Sequence, residues 1–151
     1  MYVRKLLLLS LTAVLALPAF AQFRKPEDAV KYRQSVMYTM GTHFYSRVGG
    51  MANGRVPFDA KAAAENVEIV ATLSRLPWAA FPADSNGVGK TDAKPAVWTE
   101  QAKFKDLADK MQAEVVKLQA AAKTGDFEAL KVAYRATSSS CKACHDAFTN
   151  Q

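Results

Sequence analysis

The chain is poor in the residues that most metal sites and disulfide networks need. Its 151 residues include only two cysteines and two histidines. Both cysteines and one histidine lie within five residues of each other, so few ligands remain for a separate four-ligand zinc site. Glu-x-x-His pairs, with which helical bundles hold two metal ions, are absent from the sequence. A carboxylate-rich metal centre in a bundle is therefore excluded.

The chain also lacks the patterns of a β-protein and of a nucleic-acid-binding protein. After residue 21, no segment alternates convincingly between apolar and polar residues. The formal net charge of +6 is scattered, and no arginine-rich stripe with interleaved aromatic residues is present. We expect a helical protein that does not bind nucleic acid and whose mild positive charge favours encounters with acidic partners.

The first 21 residues have the pattern of a secretory signal peptide. A pair of basic residues precedes an apolar run over residues 6–17, and an A-x-A cleavage site ends at Ala21. The apolar run is short for a membrane span, and no stop-transfer flank follows it. The alternative is a retained N-terminal anchor. We predict cleavage after Ala21, export to the periplasm, and one mature domain over residues 22–151 with no membrane span.

The strongest functional signal is Cys141-Lys142-Ala143-Cys144-His145, the C-x-x-C-H pattern of covalent c-type haem attachment. Each thiol can add to one vinyl group of a porphyrin, and the histidine can then bind the iron. A redox disulfide or half of a zinc site would leave His145 unexplained. The motif therefore predicts one covalent haem c, attached to Cys141 and Cys144, with His145 as the metal ligand.

Helical spacing and helix-end residues divide the mature chain into four segments. They cover residues 26–50, about 60–76, about 99–123 and 127–148. Asp59 and Asp126 are predicted N-caps, and Gly125 is a predicted C-cap. Between the second and third segments lies a long loop, whose Trp78 and Phe81 we expect to fold back onto the core. The pattern predicts an all-α protein, namely an antiparallel four-helix bundle with a covalent haem.

Two of these segments predict which side chains face the interior. In the second, we expect Leu76 to face the core together with Val67, Val70 and Leu73. In the fourth, unbroken steps of three and four place both cysteines on the buried face. His145 lies about 100° round the helix from Cys144, which lets its ring reach a porphyrin held against that face.

With this motif on the last helix of an exported bundle, the chain resembles the class II c-type cytochromes, most closely the cytochrome c-prime family. In class I cytochromes the motif lies near the N-terminus and a downstream methionine binds the iron, but too few residues follow His145 here. The similarity covers the mature chain. It includes residues 25–34, 76–81 and 140–147.

The resemblance implies a high-spin, five-coordinate haem with His145 as the only protein axial ligand and an apolar distal side. It implies binding of nitric oxide and carbon monoxide, or electron transfer with a redox partner protein. It also implies a homodimer formed through the first two helices. Because no distal acid–base pair of the peroxidase kind is evident, we do not expect an enzyme.

Three further residues take roles from the resemblance. Arg33 matches a basic residue that pairs with a haem propionate, with a solvated surface arginine as the alternative. Met37 matches the residue that covers the vacant iron face, and Trp78 matches an aromatic residue near the haem. Ordinary core packing is the alternative for both. Thr149 departs from the family, where an arginine or lysine often stands four residues after the histidine.

Two interpretations stay open at this point. Met37 or Met40 could donate its sulfur to the iron, which would make the protein a six-coordinate, low-spin electron carrier. His43 lies several turns along the first helix from the expected haem level, so we predict a surface or inter-helix role for it.

Overall fold

The computed structural model describes residues 22–150, so the predicted signal peptide and its cleavage after Ala21 lie outside the described residues. Every regular element in this part of the chain is helical, apart from one isolated bridge between Ala93 and Thr149. The helices are α1 (Pro26–Gly41), a π-helical segment (Thr42–Val48), α2 (Gly49–Ala52), α3 (Ala60–Leu73), α4 (Ala96–Thr99), α5 (Gln101–Thr124) and α6 (Phe127–Phe148). Two 3-10 turns, Pro77–Ala80 and Ala83–Ser85, lie between α3 and α4.

The long helices form a four-helix bundle. Residues 26–52 run on without a break through α1, the π-helical segment and α2, and they form the first helix of the bundle. This helix packs against α3 and, through α2, against α6, while α5 packs against both α3 and α6. Each bundle helix therefore touches two neighbours, and the predicted all-α, four-helix bundle is confirmed.

The helix ends follow the capping residues in the sequence. The Asp59 carboxylate accepts a hydrogen bond from the Ala62 amide at 2.9 Å. Asp126 accepts from the amide of Glu128 at 2.8 Å, which satisfies an otherwise unpaired donor in the first turn of α6. Gly125 closes α5 with a left-handed φ of 72°. All three predicted caps are confirmed.

The first helix runs past the glycine pair that was expected to end it. It continues to Ala52. Gly49 packs against Tyr134 of α6, whose hydroxyl occupies the place where a Cβ would lie. The turn follows at Gly54, whose φ of 69° favours glycine. Glycine thus serves close helix packing at position 49.

The prediction for Leu76 was wrong. Its side chain is 40% exposed, because α3 already ends at Leu73 and the chain turns before Pro77. The loop aromatics do fold back as predicted. Trp78 packs against the buried core, and the Phe81 ring lies 5.0 Å from that of Phe104.

The buried core is centred on the middle and the α2 end of the bundle. Its least exposed large side chains include Val48, Val67, Val70, Leu118 and Leu130. Between residues 22 and 150, the structure contains no helix with the length and apolarity needed to cross a membrane.

Candidate functional site

A cavity of about 380 Å³ lies between α1, α5, α6 and the loop before α5. Its walls include every residue that the sequence nominated for the site, together with the alternative iron ligand Met40 and with Thr149. The nominated residues are Arg33, Met37, Trp78, Cys141, Cys144 and His145. The fold therefore brings together three widely separated parts of the chain.

Helix α6 supplies the C-x-x-C-H motif to this cavity. Cys141 and Cys144 are free, half-buried cysteines that lie about one turn apart on the same face. Burial raises the pKa of both thiols above its ordinary value, so both sulfurs are neutral at pH 7. His145 follows on the exposed side of the last turn, and its ring also reaches the cavity wall.

Helix α1 supplies a buried guanidinium. Arg33 is only 3% exposed, so the alternative of a solvated surface arginine is wrong. Its Nη1 donates hydrogen bonds to the carbonyl of Ala80 and to Ser85 Oγ, both at 2.9 Å. Its Nη2 is buried and has no hydrogen-bond partner. One edge of the guanidinium is therefore anchored and the other is unpaired.

The rest of the arginine is enclosed by aromatic rings. The guanidinium carbon lies 4.6 Å from the centre of the Phe81 ring and 5.5 Å from that of Trp98. Burial lowers the pKa of Arg33. Within residues 22–150, no carboxylate forms an ion pair with it. An uncompensated buried charge is costly in free energy. An anionic group from outside the chain would therefore stabilise the buried Arg33 guanidinium.

The remaining walls are largely apolar. Met37 and Met40 come from α1, and Phe104, Leu107 and Met111 come from α5. Trp78 also lines the cavity, and its Nε1 donates to the carbonyl of Ser74 at 2.7 Å. Such a surface suits a flat hydrophobic ring system better than a polar ligand.

A short extended segment fixes the end of α6. The Lys94 amide donates to the Phe148 carbonyl, and the Asn150 amide donates to the Asp92 carbonyl, both at 2.9 Å. Thr149 Oγ1 donates to the carbonyl of His145 at 3.0 Å. Thr149 thus holds the last turn of α6.

His43 lies outside the cavity walls. Its Nδ1 and Asn66 Oδ1 on α3 are 2.8 Å apart, so the predicted inter-helix role is confirmed. Within residues 22–150, no three His, Cys, Asp or Glu side chains are grouped as a metal-binding cluster.

Sequence reasoning missed the loop residues that complete the site. Ser85, which is fully buried, accepts from Arg33 and donates to the carbonyl of Pro82 at 2.8 Å. Trp98 and Ala93 also contribute. None of these residues belongs to a periodic pattern. The only available signal was a tryptophan that lies just before a long amphipathic helix.

Comparison with known proteins agrees with this architecture. The family model described as "Cytochrome C'" matches residues 28–149. Cytochrome c′ of Rubrivivax gelatinosus is 55% identical over 128 residues, which cover 84% of this chain and 98% of that protein. Its crystal structure superposes with a TM-score of 0.82 at 52% identity and covers 85% of this chain and 100% of that one.

A second relative has been solved with gases bound. Cytochrome c′ of Alcaligenes xylosoxydans is 47% identical over 127 residues, which cover 84% of this chain and 97% of that protein. The nitric oxide complex of one of its variants has a TM-score of 0.79 at 45% identity, and covers 86% of this chain and 100% of that one. A carbon monoxide-bound variant has a TM-score of 0.78, with the same identity and the same two coverages.

A four-helix bundle with C-x-x-C-H on its last helix defines the class II c-type cytochromes. The chain belongs to the cytochrome c′ family, and its cofactor is haem c. The walls of the cavity fit this group, because Nη2 of Arg33 is a buried, unpaired donor of the kind that an anionic substituent would accept from, and the methionine-rich walls suit a porphyrin.

Proposed function

We propose that this protein is a periplasmic monohaem cytochrome c′ that binds nitric oxide and carbon monoxide and exchanges single electrons with a partner protein. In this proposal the leader is removed after Ala21, and residues 22–151 form the mature domain. The observation that carries the proposal is one cavity that combines the C-x-x-C-H motif, a buried unpaired arginine edge and an apolar methionine wall.

Each part of the cavity has a separate task. Cys141 and Cys144 form the two thioether links, and His145 is the only protein ligand of the iron. Arg33 neutralises a propionate through Nη2, while Ala80 and Ser85 hold its other edge. When bound, the haem supplies an iron centre that coordinates a diatomic gas or carries an electron.

Selection among ligands comes from the apolar wall. The thioethers of Met37 and Met40 have no proton to donate and accept only weakly, so water and anions are disfavoured there. Oxygen benefits from a hydrogen-bond donor, and His43 cannot supply one because it pairs with Asn66 outside the cavity. Carbon monoxide and nitric oxide bind without such a donor. The gas complexes of the Alcaligenes relative support this proposal.

The proposal assigns a binding and electron-transfer role without catalytic turnover. The only histidine in the cavity wall is His145, which the proposal uses as the iron ligand. Acid–base catalysis on a bound gas would need a second titratable group close to that gas. Met37 and Met40 supply only thioethers.

A six-coordinate, low-spin haem is the second candidate, because both Met37 and Met40 line the same cavity as His145. The absorption and resonance Raman spectra of the ferrous protein, recorded with and without carbon monoxide, separate the two. We expect a five-coordinate, high-spin ferrous spectrum and complete conversion by carbon monoxide. A low-spin spectrum with a sulfur-to-iron band in the ferric protein would reject the five-coordinate proposal in favour of methionine ligation.

We also propose a homodimer formed by the first two bundle helices. Exposed apolar side chains on or near these helices include Tyr38, which is 80% exposed, and Ile69, which is 38% exposed. Sedimentation equilibrium should give twice the monomer mass. A monomer at every concentration tested would contradict the dimer.

A further inference from the structure

Two neighbouring helices of the bundle, the first helix and α6, carry long stretches without acidic residues. Residues 29–58 and residues 129–145 together contain seven lysines and arginines and no aspartate or glutamate. Helix α5 differs, because its lysines alternate with acids and form ion pairs with Asp106, Asp109 and Glu114. Positive charge is therefore left without acidic neighbours in sequence on the side of the bundle where the first helix meets α6.

Three basic side chains of α6 lie along one stripe of that helix. Lys131, Arg135 and Lys142 lie within about 40° of each other round the helix axis. Lys131 pairs with Glu128 and Lys142 pairs with Asp146, each near one end of the helix. Arg135 lies between them and is exposed. Within residues 22–150, no carboxylate forms an ion pair with Arg135, so the middle of the stripe carries a free positive charge.

The first helix places an aromatic ring and a second arginine beside this stripe. Tyr45 is 40% exposed, and its hydroxyl lies next to Ser138, which follows Arg135 by one turn of α6. Arg55, in the turn after the first helix, is exposed, and its Nη2 donates to the Tyr45 carbonyl at 3.0 Å. In the described part of the chain, Arg55 also has no carboxylate partner in an ion pair. We call Tyr45, Arg55, Arg135 and Ser138 the arginine face.

The arginine face borders the covalent edge of the haem. Tyr45 and Cys141 line the same recess of the haem site, and in the proposed function a thioether joins Cys141 to the porphyrin. A protein that covers Tyr45 therefore lies close to a sulfur bonded to the porphyrin. Tyrosine and arginine are enriched in the centres of protein interfaces, and transient redox complexes need only a small contact area.

We propose that the arginine face is the docking surface for an acidic electron-transfer protein. The inference rests on the proposed electron exchange. Carboxylates of the partner contact Arg55 and Arg135, and this complementary charge speeds the encounter. One electron passes from the reduced partner to the ferric haem. The partner is oxidised by one electron, the iron becomes ferrous, and no bond forms or breaks.

Stopped-flow reduction of the ferric, haem-loaded protein tests the docking surface, with the hydroquinone form of an acidic flavodoxin as the probe. Arg55→Gln and Arg135→Gln each remove one positive charge, and we expect each to lower the second-order rate constant about two- to fivefold. Arg135→Lys keeps the charge and should stay close to wild type. The ionic strength is set to about 0.1 M, because charges more than about 10 Å apart are then largely screened.

Arg75→Gln is the matched control, because it removes the same charge from another part of the surface. Arg75 is exposed and lies in a groove between the end of α3 and α5. We expect its rate constant to stay close to that of wild type. Equal slowing in Arg75→Gln and Arg135→Gln would show that the net charge sets the rate, and would overturn the proposal.

A small cationic reductant separates docking from damage to the haem. The methyl viologen radical cation should reduce Arg55→Gln and Arg135→Gln at least as fast as wild type. If this cation were slowed as much as flavodoxin, the defect would lie at the haem, and the proposal would fail. A wild-type protein that neither reagent reduces would lack the proposed electron exchange altogether. Reduction by both reagents, without any effect of the two arginines, would preserve electron exchange and reject only the docking surface.

The same variants reveal two other occupants of the arginine face. If Arg135→Gln lost binding to phosphatidylglycerol vesicles and kept the wild-type rate with flavodoxin, the surface would belong to an anionic membrane. If Arg135→Gln changed the mass measured by sedimentation equilibrium, the surface would belong to a second copy of the chain. Either result would overturn the proposal, which predicts the same mass for Arg135→Gln and wild type.

Discussion

At the end of the bundle where α2 meets α6, side chains fill the interior, whereas the other end encloses about 380 Å³ of cavity. We call these the closed end and the cofactor end. At the closed end, the Phe44 and Tyr134 rings are 4.8 Å apart, Leu130 is fully buried, and Gly49 lets the helices touch. At the cofactor end, the walls are half-buried cysteines and methionines with a buried arginine.

The two ends of the bundle differ in what stabilises them. The closed end has the dense packing of an ordinary protein core, and it needs nothing from outside the chain. The cofactor end contains an unpaired charge at Arg33 and apolar walls that face empty space, both of which oppose folding. We therefore expect folding of this end to be coupled to the haem.

The largest expected effect is removal of the cofactor. In the double variant Cys141→Ser and Cys144→Ser, no thioether can form, so we expect the cofactor end to loosen while the closed end stays folded. Amide hydrogen exchange checks this outcome. Amides near Leu130 should stay protected, and amides of residues 141–148 and of Lys94 should exchange much faster than in the haem-loaded protein. Equal protection of amides at both ends would show that neither end needs the haem in order to fold.

A substitution in the wall formed by Met37 and Met40 tests how the cofactor end controls ligand binding. In Met37→Ala, carbon monoxide no longer has to displace a side chain, and its association rate should rise about tenfold for each 1.4 kcal/mol removed from the barrier. Stopped-flow mixing measures this rate. Met40→Ala is the parallel variant, since it lies in the same wall. If carbon monoxide associated faster only in Met40→Ala, Met40 would be the side chain that the gas displaces. Unchanged association rates in both variants would show that neither methionine limits binding.

A change at the closed end should affect stability and leave the haem spectrum intact. Gly49→Ala forces a Cβ against the Tyr134 hydroxyl, so we expect a loss of about 1–3 kcal/mol in the free energy of unfolding. Gly50→Ala is the matched control, because its Cβ would meet Val56 Cγ2 at an ordinary 3.4 Å. Urea denaturation measures both, and equal stability of the two variants would refute the close approach.

The smallest expected effect is a pH dependence of the free energy of unfolding. It comes from Tyr45, which lies near the boundary between the closed end and the cofactor end. In the chain with free cysteines, burial raises the pKa of Tyr45 from 10.0 to about 12, and the Cys141 thiol adds to this shift; a thioether at Cys141 removes the second cause and leaves the first. Between these values the unfolded chain has lost this proton and the folded protein retains it, so stability falls as the pH rises through this window. Tyr45→Phe should lose less stability over the same window.

The control for this variant is Tyr38→Phe, since Tyr38 is 80% exposed. Thermal unfolding at several pH values compares the three proteins. If the loss of stability with pH were the same in wild type and Tyr45→Phe, burial of the Tyr45 hydroxyl would not be the cause.

The sequence predicted most of the closed end and the covalent part of the cofactor end. Asp59, Gly125 and Asp126 mark helix ends because capping is local chemistry, and C-x-x-C-H is a local motif. The extension of the first helix to Ala52 could not be predicted, because the role of Gly49 depends on a tyrosine 85 positions later in the chain.

The polar support of Arg33 could not be predicted either. Ser85 and Trp98 reach it from a loop without periodicity, and loop conformations depend on tertiary contacts more than on spacing. The sequence nominated Arg33 for the site through the family resemblance alone. Its burial and its unpaired Nη2 are properties that only the folded chain displays.

Mass spectrometry of the exported protein tests the central claim most directly. The intact mass should correspond to residues 22–151 plus one haem, and the peptide that spans Cys141 and Cys144 should carry that haem through both sulfurs. Two free thiols in that peptide, or a colourless protein without the added mass, would contradict the assignment of the cofactor end.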